Sequence, residues 1–162
     1  MSLKIDSLKN RKDLIDRSAA CIALIWLGMV LGISFLEAPV KFMAPSVTLE
    51  IGLDIGRYVF GVFNKVECVL ALVIAILLII VRRKDLSMVP IGLAWLSLAL
   101  QTAWLLPVLE ARTEVIIQGQ TPAPSILHTI YVALEVLKAV ALAVYGFWNV
   151  LITKVGSEIT RR

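Results

Sequence analysis

The sequence predicts an all-α integral membrane protein, a four-transmembrane-helix bundle with both termini cytoplasmic. Three observations carry this. Apolar residues make up 59% of the 162 positions and the mean hydropathy is +0.89, above the usual range for a soluble globular chain. These residues gather in four runs, each close to the ~20 residues that cross a hydrocarbon core about 30 Å thick. The basic residues are also segregated. Lys4, Lys9, Arg11, Lys12 and Arg17 precede the first run, Arg82, Arg83 and Lys84 separate the second from the third, and Lys154, Arg161 and Arg162 follow the fourth. Against these eleven, the other side holds Lys41, Arg57 and Arg112. The positive-inside rule then places both ends in the cytoplasm and makes the chain an expected resident of a bacterial cytoplasmic (inner) membrane.

The elements follow in order. Residues 1–18 form a cytoplasmic amphipathic stretch in which "KNRKDLIDR" mixes charged and apolar side chains. No signal-peptide cleavage site closes the first apolar run. The transmembrane domain covers 19–152, with helices at about 19–38, 57–81, 88–109 and 126–152, and 153–162 form a cytoplasmic tail. In the first helix "GMVLG" offers a small-xxx-small pair, Gly28 and Gly32, for close helix approach. Two Ala-Pro pairs should end or kink that helix, and Thr48 with Glu50 and Asp54 starts a short amphipathic turn before Arg57. The turn "VRRKDLS" is short enough to make the second and third helices antiparallel neighbours. Ser125 is an N-cap for the fourth helix.

One stretch of that helix, "HTIYVALEVLK", does not suit lipid. His128, Tyr131, Glu135 and Lys138 are spaced 3, 4 and 3 apart, within an arc of roughly 80° at about 100° per residue. "RYVFGVFNKVE" repeats the layout with Arg57, Phe60, Asn64 and Glu67, as a duplicated helix hairpin would. Ionisable groups in a bilayer face a bundle interior or a watery cavity, and a lone charge there costs at least ~2.5–3.5 kcal/mol. Glu67, Glu135 and Lys138 fall near mid-span, whereas Glu37, Lys41, Arg57 and His128 fall nearer the outer face. The expected site is a polar pocket from the outer surface to mid-membrane, with Asn64, Gln101, Trp104 and Tyr131 along its wall. Lys65 points away from it. The alternative is interhelical glue, in which paired polar groups only set helix register.

Other chemistries find little support in the residues. His128 is the sole histidine, so it offers haem or a metal one ligand, and neither is expected; the paired Glu-x-x-His motifs of di-iron bundles are absent. No nucleophile has a base at matching depth, and no glycine-rich loop cradles phosphate, so an enzyme is not expected. Cys21 and Cys68 lack CxxC spacing and read as buried small hydrophobes. The net charge of +4 is topological, and nucleic acid is not a partner.

Four stretches, "LGMVLGISF", "GRYVFGVFNKVE", "LALQTAWLLPVLEART" and "LHTIYVALEVLK", resemble the transmembrane-protein-205-like family of small four-helix membrane proteins from bacteria and eukaryotes. Gln101, Trp104, Pro107 and Arg112 match the end of that family's third helix, and His128 matches the start of its last. The resemblance spans about residues 28–142 and implies fold and membrane location, without a reaction. This chain departs from it in carrying Glu37, Glu67, Glu135 and Lys138.

Three functions follow from these readings. One is proton-linked transport of a small molecule or ion, with Glu67 and Glu135 as proton acceptors and Lys138, Lys41 and Arg57 for an anionic ligand. Another is an intramembrane ligand-binding protein or enzyme, with His128 and Tyr131 near a bound lipid or a cofactor such as haem. The third is an accessory subunit, in a homo-oligomer or with a partner membrane protein. The topology has its own test. Reporter fusions after Asp85, Thr121 and Arg162 should read inside, outside and inside, and an outside signal at the C-terminus would overturn the assignment.

Overall fold

The computed structural model describes the backbone of residues 2–83 and 85–159, and the side chains of 10–83 and 85–151. Four long helices form the fold, with no strand among the described residues. Helix α1 runs unbroken through Ser2–Val30, a π-helical segment Leu31–Glu37, the turn Ala38–Val40 and a 3-10 turn Lys41–Met43. Helix α2 is Leu49–Val81. Helix α3 comprises Met88–Leu100, a second π-helical segment Gln101–Leu105 and Leu106–Ile117. Helix α4 is Leu127–Ile159. Within these, Asn10–Met43, Leu49–Val81, Met88–Ile117 and Leu127–Leu151 are each long and apolar enough to cross a membrane.

Local chemistry sets the boundaries. Thr48 adopts an extended backbone and its hydroxyl accepts from the Ile51 amide at 3.3 Å, capping α2. The expected turn before Arg57 is therefore the first two turns of α2 itself. At the other end Arg82 takes a left-handed conformation (φ 53°) while the Arg83 amide donates to the Leu78 carbonyl, closing the helix. Asp85 holds the turn into α3, accepting from both the amide and the hydroxyl of Ser87. The Ser87 hydroxyl is the main cause that keeps the Asp85 carboxyl below its ordinary range. Gly119 (φ 76°) terminates α3, and Ser125 accepts from the Leu127 amide at the start of α4.

The two π-helical segments explain why proline does not break the long apolar helices where the sequence pattern predicts a break. Pro39 and Pro107 each follow a π segment within two residues. Proline lacks an N–H and crowds the carbonyl four residues earlier, and a local π adjustment re-pairs the freed backbone groups. Only the second Ala-Pro pair ends α1, with Ala44 in an extended conformation. As a result α1 extends past 38 to Met43, and α3 past 109 to Ile117. The amphipathic stretch before residue 19 is continuous with α1, and the tail is helical through Ile159. Residues 160–162 lie outside the described residues.

Short connections make the bundle antiparallel in sequence order. Helix α1 packs on α2 and α4, α3 packs on α4 and α2, and the α1/α3 and α2/α4 pairs are diagonals. The half nearer the termini is tightly packed. Ala19, Ala23, Trp26 and Val30 of α1 meet Ile74, Leu78, Ile91, Leu98, Leu142 and Tyr145 there. Close approach is enforced at Gly146, where a Cβ would lie 2.5 Å from Leu24 Cδ2 and 3.5 Å from the Ala20 carbonyl oxygen. The expected small-xxx-small pair does not serve this purpose. A Cβ at Gly28 or Gly32 would have nothing within 4 Å, so both glycines face away from the other helices. Cys21 and Cys68 are likewise exposed on the bundle surface rather than buried.

These contacts set opposite outcomes for two glycines. Gly146→Val should lower thermal stability in detergent by about 1–3 kcal/mol through overpacking. Gly28→Ala should be neutral or gain up to about 1 kcal/mol from helix propensity. Equal effects at both positions would contradict the packing described.

Candidate functional site

Beyond the packed half, the α4 stripe turns polar. Tyr131, Glu135 and Lys138 continue the buried face that later carries Leu142, Tyr145 and Asn149, at spacings of 4, 3, 4, 3 and 4. Lys138 is fully buried, and Glu135 is 1% exposed. The Lys138 ammonium contacts Glu67 Oε1 at 2.5 Å, Glu135 Oε1 at 3.0 Å and Gln101 Oε1 at 2.8 Å. An ammonium has three donors, and here three acceptors take them. The acceptors are shared in turn. The Trp26 indole donates to Glu67 Oε1 at 2.9 Å, and Gln101 Nε2 donates to Glu135 Oε1 at 3.0 Å. Each of the four helices thus contributes to one buried polar cluster: Trp26 from α1, Glu67 from α2, Gln101 from α3, Glu135 and Lys138 from α4.

The charges in this cluster do not balance. Two carboxylates face one ammonium, so full ionisation would bury a net negative charge, which is costly in a low-dielectric interior. The remaining oxygen of Glu135, Oε2, is buried and accepts no hydrogen bond from the described residues. Glu135 also lines a cavity of about 670 Å³ in the half of the bundle bearing the α1–α2 and α3–α4 connections. The cluster is therefore a floor, and the open acceptor belongs to the residue that the cavity reaches.

The cavity owes its volume to the sequence around it. The π segment of α1 places Ser34 and Phe35 on its wall. Gly52 and Gly56 of α2 admit Phe42 and Lys41, because a Cβ at these positions would lie 2.1 Å from the Phe42 ring and 2.9 Å from Lys41 Nζ. Phe60 meets Tyr131 edge-to-face at a centroid distance of 5.8 Å. Toward the rim, Lys41 pairs with Glu37 at 3.5 Å, and Arg57 pairs with Asp54 at 2.7 Å and Glu114 at 2.5 Å. Arg112 donates to the Ala123 carbonyl. His128 is exposed and lines the mouth.

Of the residues expected in the pocket, Glu67, Gln101, Glu135 and Lys138 meet in the floor, with Tyr131 beside them. Lys41, Arg57 and His128 line the cavity above, and Glu37 supports Lys41. Two do not join them. Trp104 is 49% exposed on the outer surface of α3, and Asn64 donates to Thr102 on the α2–α3 face at 2.8 Å, outside the cavity lining. Lys65 is exposed, away from the cavity. The matched 3-4-3 stretches do meet across the α2/α4 diagonal, where Phe60 touches Tyr131 and Glu67 pairs with Lys138. The sequence pattern does not point to Trp26 or Glu114. Trp26 lies on the Ala19–Ala23–Trp26–Val30 stripe, the one signal that it faces inward. Glu114 falls in an expected loop, although Leu109, Thr113 and Ile116 keep helical spacing through it. Among the described residues no three His, Cys, Asp or Glu side chains are grouped to hold a metal ion.

No family model, curated protein or solved structure matches this chain. The resemblance to the transmembrane-protein-205-like family rests on the sequence stretches alone, and the site has to be read from its own chemistry.

That chemistry orders the cluster's mutations. Lys138→Met leaves two buried carboxylates without a counter-charge and should cost about 3–5 kcal/mol at neutral pH. Glu67→Gln keeps an acceptor for Trp26 and Lys138 and leaves a neutral Glu135–Lys138 pair, so it should cost no more than about 1 kcal/mol. The triple change Glu67→Gln, Glu135→Gln, Lys138→Met should recover most of the first loss. Acid should shrink the Lys138→Met deficit, because protonation removes the unpaired charges. Thermal unfolding in detergent across pH checks all four.

Proposed function

We propose that this chain is an integral membrane protein, with four spans and cytoplasmic termini, that binds a small molecule inside the bundle and links its binding to a proton on Glu135. The observation that carries this reading is the Glu135 carboxylate. One oxygen is fixed by Lys138 and Gln101, the other is buried beside Tyr131 without a hydrogen bond that meets normal geometry, and the residue lines a cavity. About 670 Å³ falls within the roughly 300–1,000 Å³ of small-molecule sites. Membrane residence is supported by the four apolar spans, by the segregated basic flanks and by apolar side chains such as Val69, Leu72, Ile76, Ile79, Val140 and Phe147 exposed around the bundle. A soluble monomer rarely exposes so continuous an apolar surface.

A carboxyl that must either hold a proton or meet a ligand makes occupancy depend on pH. Proton-linked transport is the natural use of such a group, with the cavity open at one end and the packed core closing the other. For an anionic ligand, Lys138, Lys41 and Arg57 are already paired with carboxylates.

The test uses the purified protein. Small molecules extracted from wild type and from Glu135→Gln are identified and quantified by mass, with purification at several pH values. Wild type should retain a ligand to a degree that changes with pH. Glu135→Gln should keep its melting temperature and lose retention by about tenfold or more, with no pH dependence left. A stable Glu135→Gln protein holding the same ligand in full at every pH would overturn the proposal.

A further inference from the structure

Resting on that reading, we infer that the ligand is a lipophilic organic cation, which takes the place of the proton at Glu135 Oε2. Three independent features of the cavity point to this class.

The first is charge. In the floor, Glu67 and Glu135 face the single cation Lys138, and the open oxygen is an acceptor. The rim gives no compensating excess of positive charge. Among the described residues Lys41, Arg57 and Arg112 are set against Glu37, Asp54, Glu110 and Glu114, three cations against four carboxylates. An anion would therefore find no surplus of positive charge near the floor, whereas a cation beside Oε2 completes the count of two carboxylates and two positive charges.

The second is the wall. Phe35, Phe42, Phe60 and Tyr131 line the cavity with apolar and aromatic surface. Aromatic faces attract cations, and Lys41 Nζ already sits 5.6 Å from the Phe60 ring centroid and 5.7 Å from that of Phe42. The third is size and ligation. A bare metal ion needs several oxygens within about 2.5 Å; of the two floor carboxylates, which share one ammonium through their Oε1 atoms, only Glu135 lines the large apolar space. An organic cation with an apolar body suits both parts.

The groups that face Glu135 are Lys138 and Tyr131 on its own helix, Gln101 from α3 and Glu67 from α2, which Trp26 of α1 fixes from behind. Of these, Glu135 combines an open acceptor with the cavity. Exchange is balanced: the cation settles beside Oε2, the proton on that oxygen leaves through the cavity mouth, and no bond in the ligand is made or broken. His128 and the rim charges lie at the mouth, where they alter access rather than the exchange.

The experiment compares two probes of one shape and opposite sign, tetraphenylphosphonium and tetraphenylborate, by equilibrium dialysis against the protein in nonionic detergent. Gly61→Trp supplies the background, because Gly61 is a lining residue of the cavity and belongs to neither the floor cluster nor the rim charges. Wild type should bind the phosphonium in excess of Gly61→Trp and release about one proton per cation. Binding should weaken about tenfold per pH unit as the medium is acidified through the titration of the site. Glu135→Gln should lose it, and the borate should show no excess over background. Phosphonium binding that survives in a stable Glu135→Gln protein would overturn the inference. Borate binding that depends on Glu135 and on pH would also overturn it, while leaving the proton-linked cavity standing. If neither probe binds and no ligand is retained by the purified protein, both readings fall together.

Discussion

Two hydrogen bonds and an ion pair from one ammonium fix this bundle. Lys138 is fully buried, and its three donors reach Glu67 on α2, Gln101 on α3 and Glu135 on its own helix. Apolar packing gives helices in lipid little reason to choose one neighbour over another, since acyl chains are as apolar as leucine. Directional contacts supply that choice. Helices α2 and α4 are a diagonal pair that would otherwise hardly meet, and the Glu67–Lys138 contact spans that diagonal. Trp26 then ties α1 to the same carboxylate. Register, rotation and neighbour order of all four helices depend on one cluster, which is why loss of its cation should be felt across the whole fold.

The cluster also divides the bundle into two halves with different uses of the same building material. Toward the termini, alanines at 19, 20 and 23 and Gly146 draw α1 and α4 into close contact. Toward the loops, α1 and α3 each carry a π segment ahead of a proline. A wider turn displaces the helix axis locally, and glycines at 52 and 56 receive the large side chains of the adjoining segment. Proline, elsewhere a helix terminator, here opens space. The cavity is the consequence of these choices of residue size rather than a gap left by poor packing.

The same π segments explain where reading the sequence succeeds and where it does not. The stripe of Tyr131, Glu135 and Lys138 can be read because α4 is regular and about 100° per residue holds along it. Glu67 follows from the same rule on α2. Trp104 does not, because the rule fails between Gln101 and Leu105. With bonds closing five residues apart, a π turn takes more than four residues, so the fourth residue after Gln101 returns to the inner face and the third does not. Leu105 is accordingly buried and Trp104 faces out. Trp26 is hidden for a different reason. An indole in an apolar run carries no charge to mark it, and its partner lies 41 residues away on another helix. Glu114 is obscured by Pro107, which signals the end of a helix in water and not in this bundle. Fold class and the polar floor are legible from composition and periodicity. The helix lengths, the π segments and the cavity are not, since they arise from how proline is accommodated in three dimensions.

Whether the cluster serves packing or chemistry turns on its second carboxylate. Helix register needs a satisfied polar contact, and Lys138 with one glutamate and Gln101 would provide it as a neutral set. A further buried carboxylate meets the third donor of the ammonium, but it does so with a net negative charge and its desolvation cost, where a neutral acceptor would serve register equally well. Packing alone would place that extra charge nowhere, or hide both of its oxygens in hydrogen bonds. Glu135 instead has one oxygen in the cluster and one buried without a hydrogen bond, on a residue that lines the cavity. The surplus charge is shared by Glu67 and Glu135, and of the two only Glu135 lines the cavity, at the boundary between the packed half and the open half. On the proposed reading, a proton or a cation there would relieve the imbalance, and the packed half below, fixed by Lys138, would keep the acceptor in place while its occupant changes.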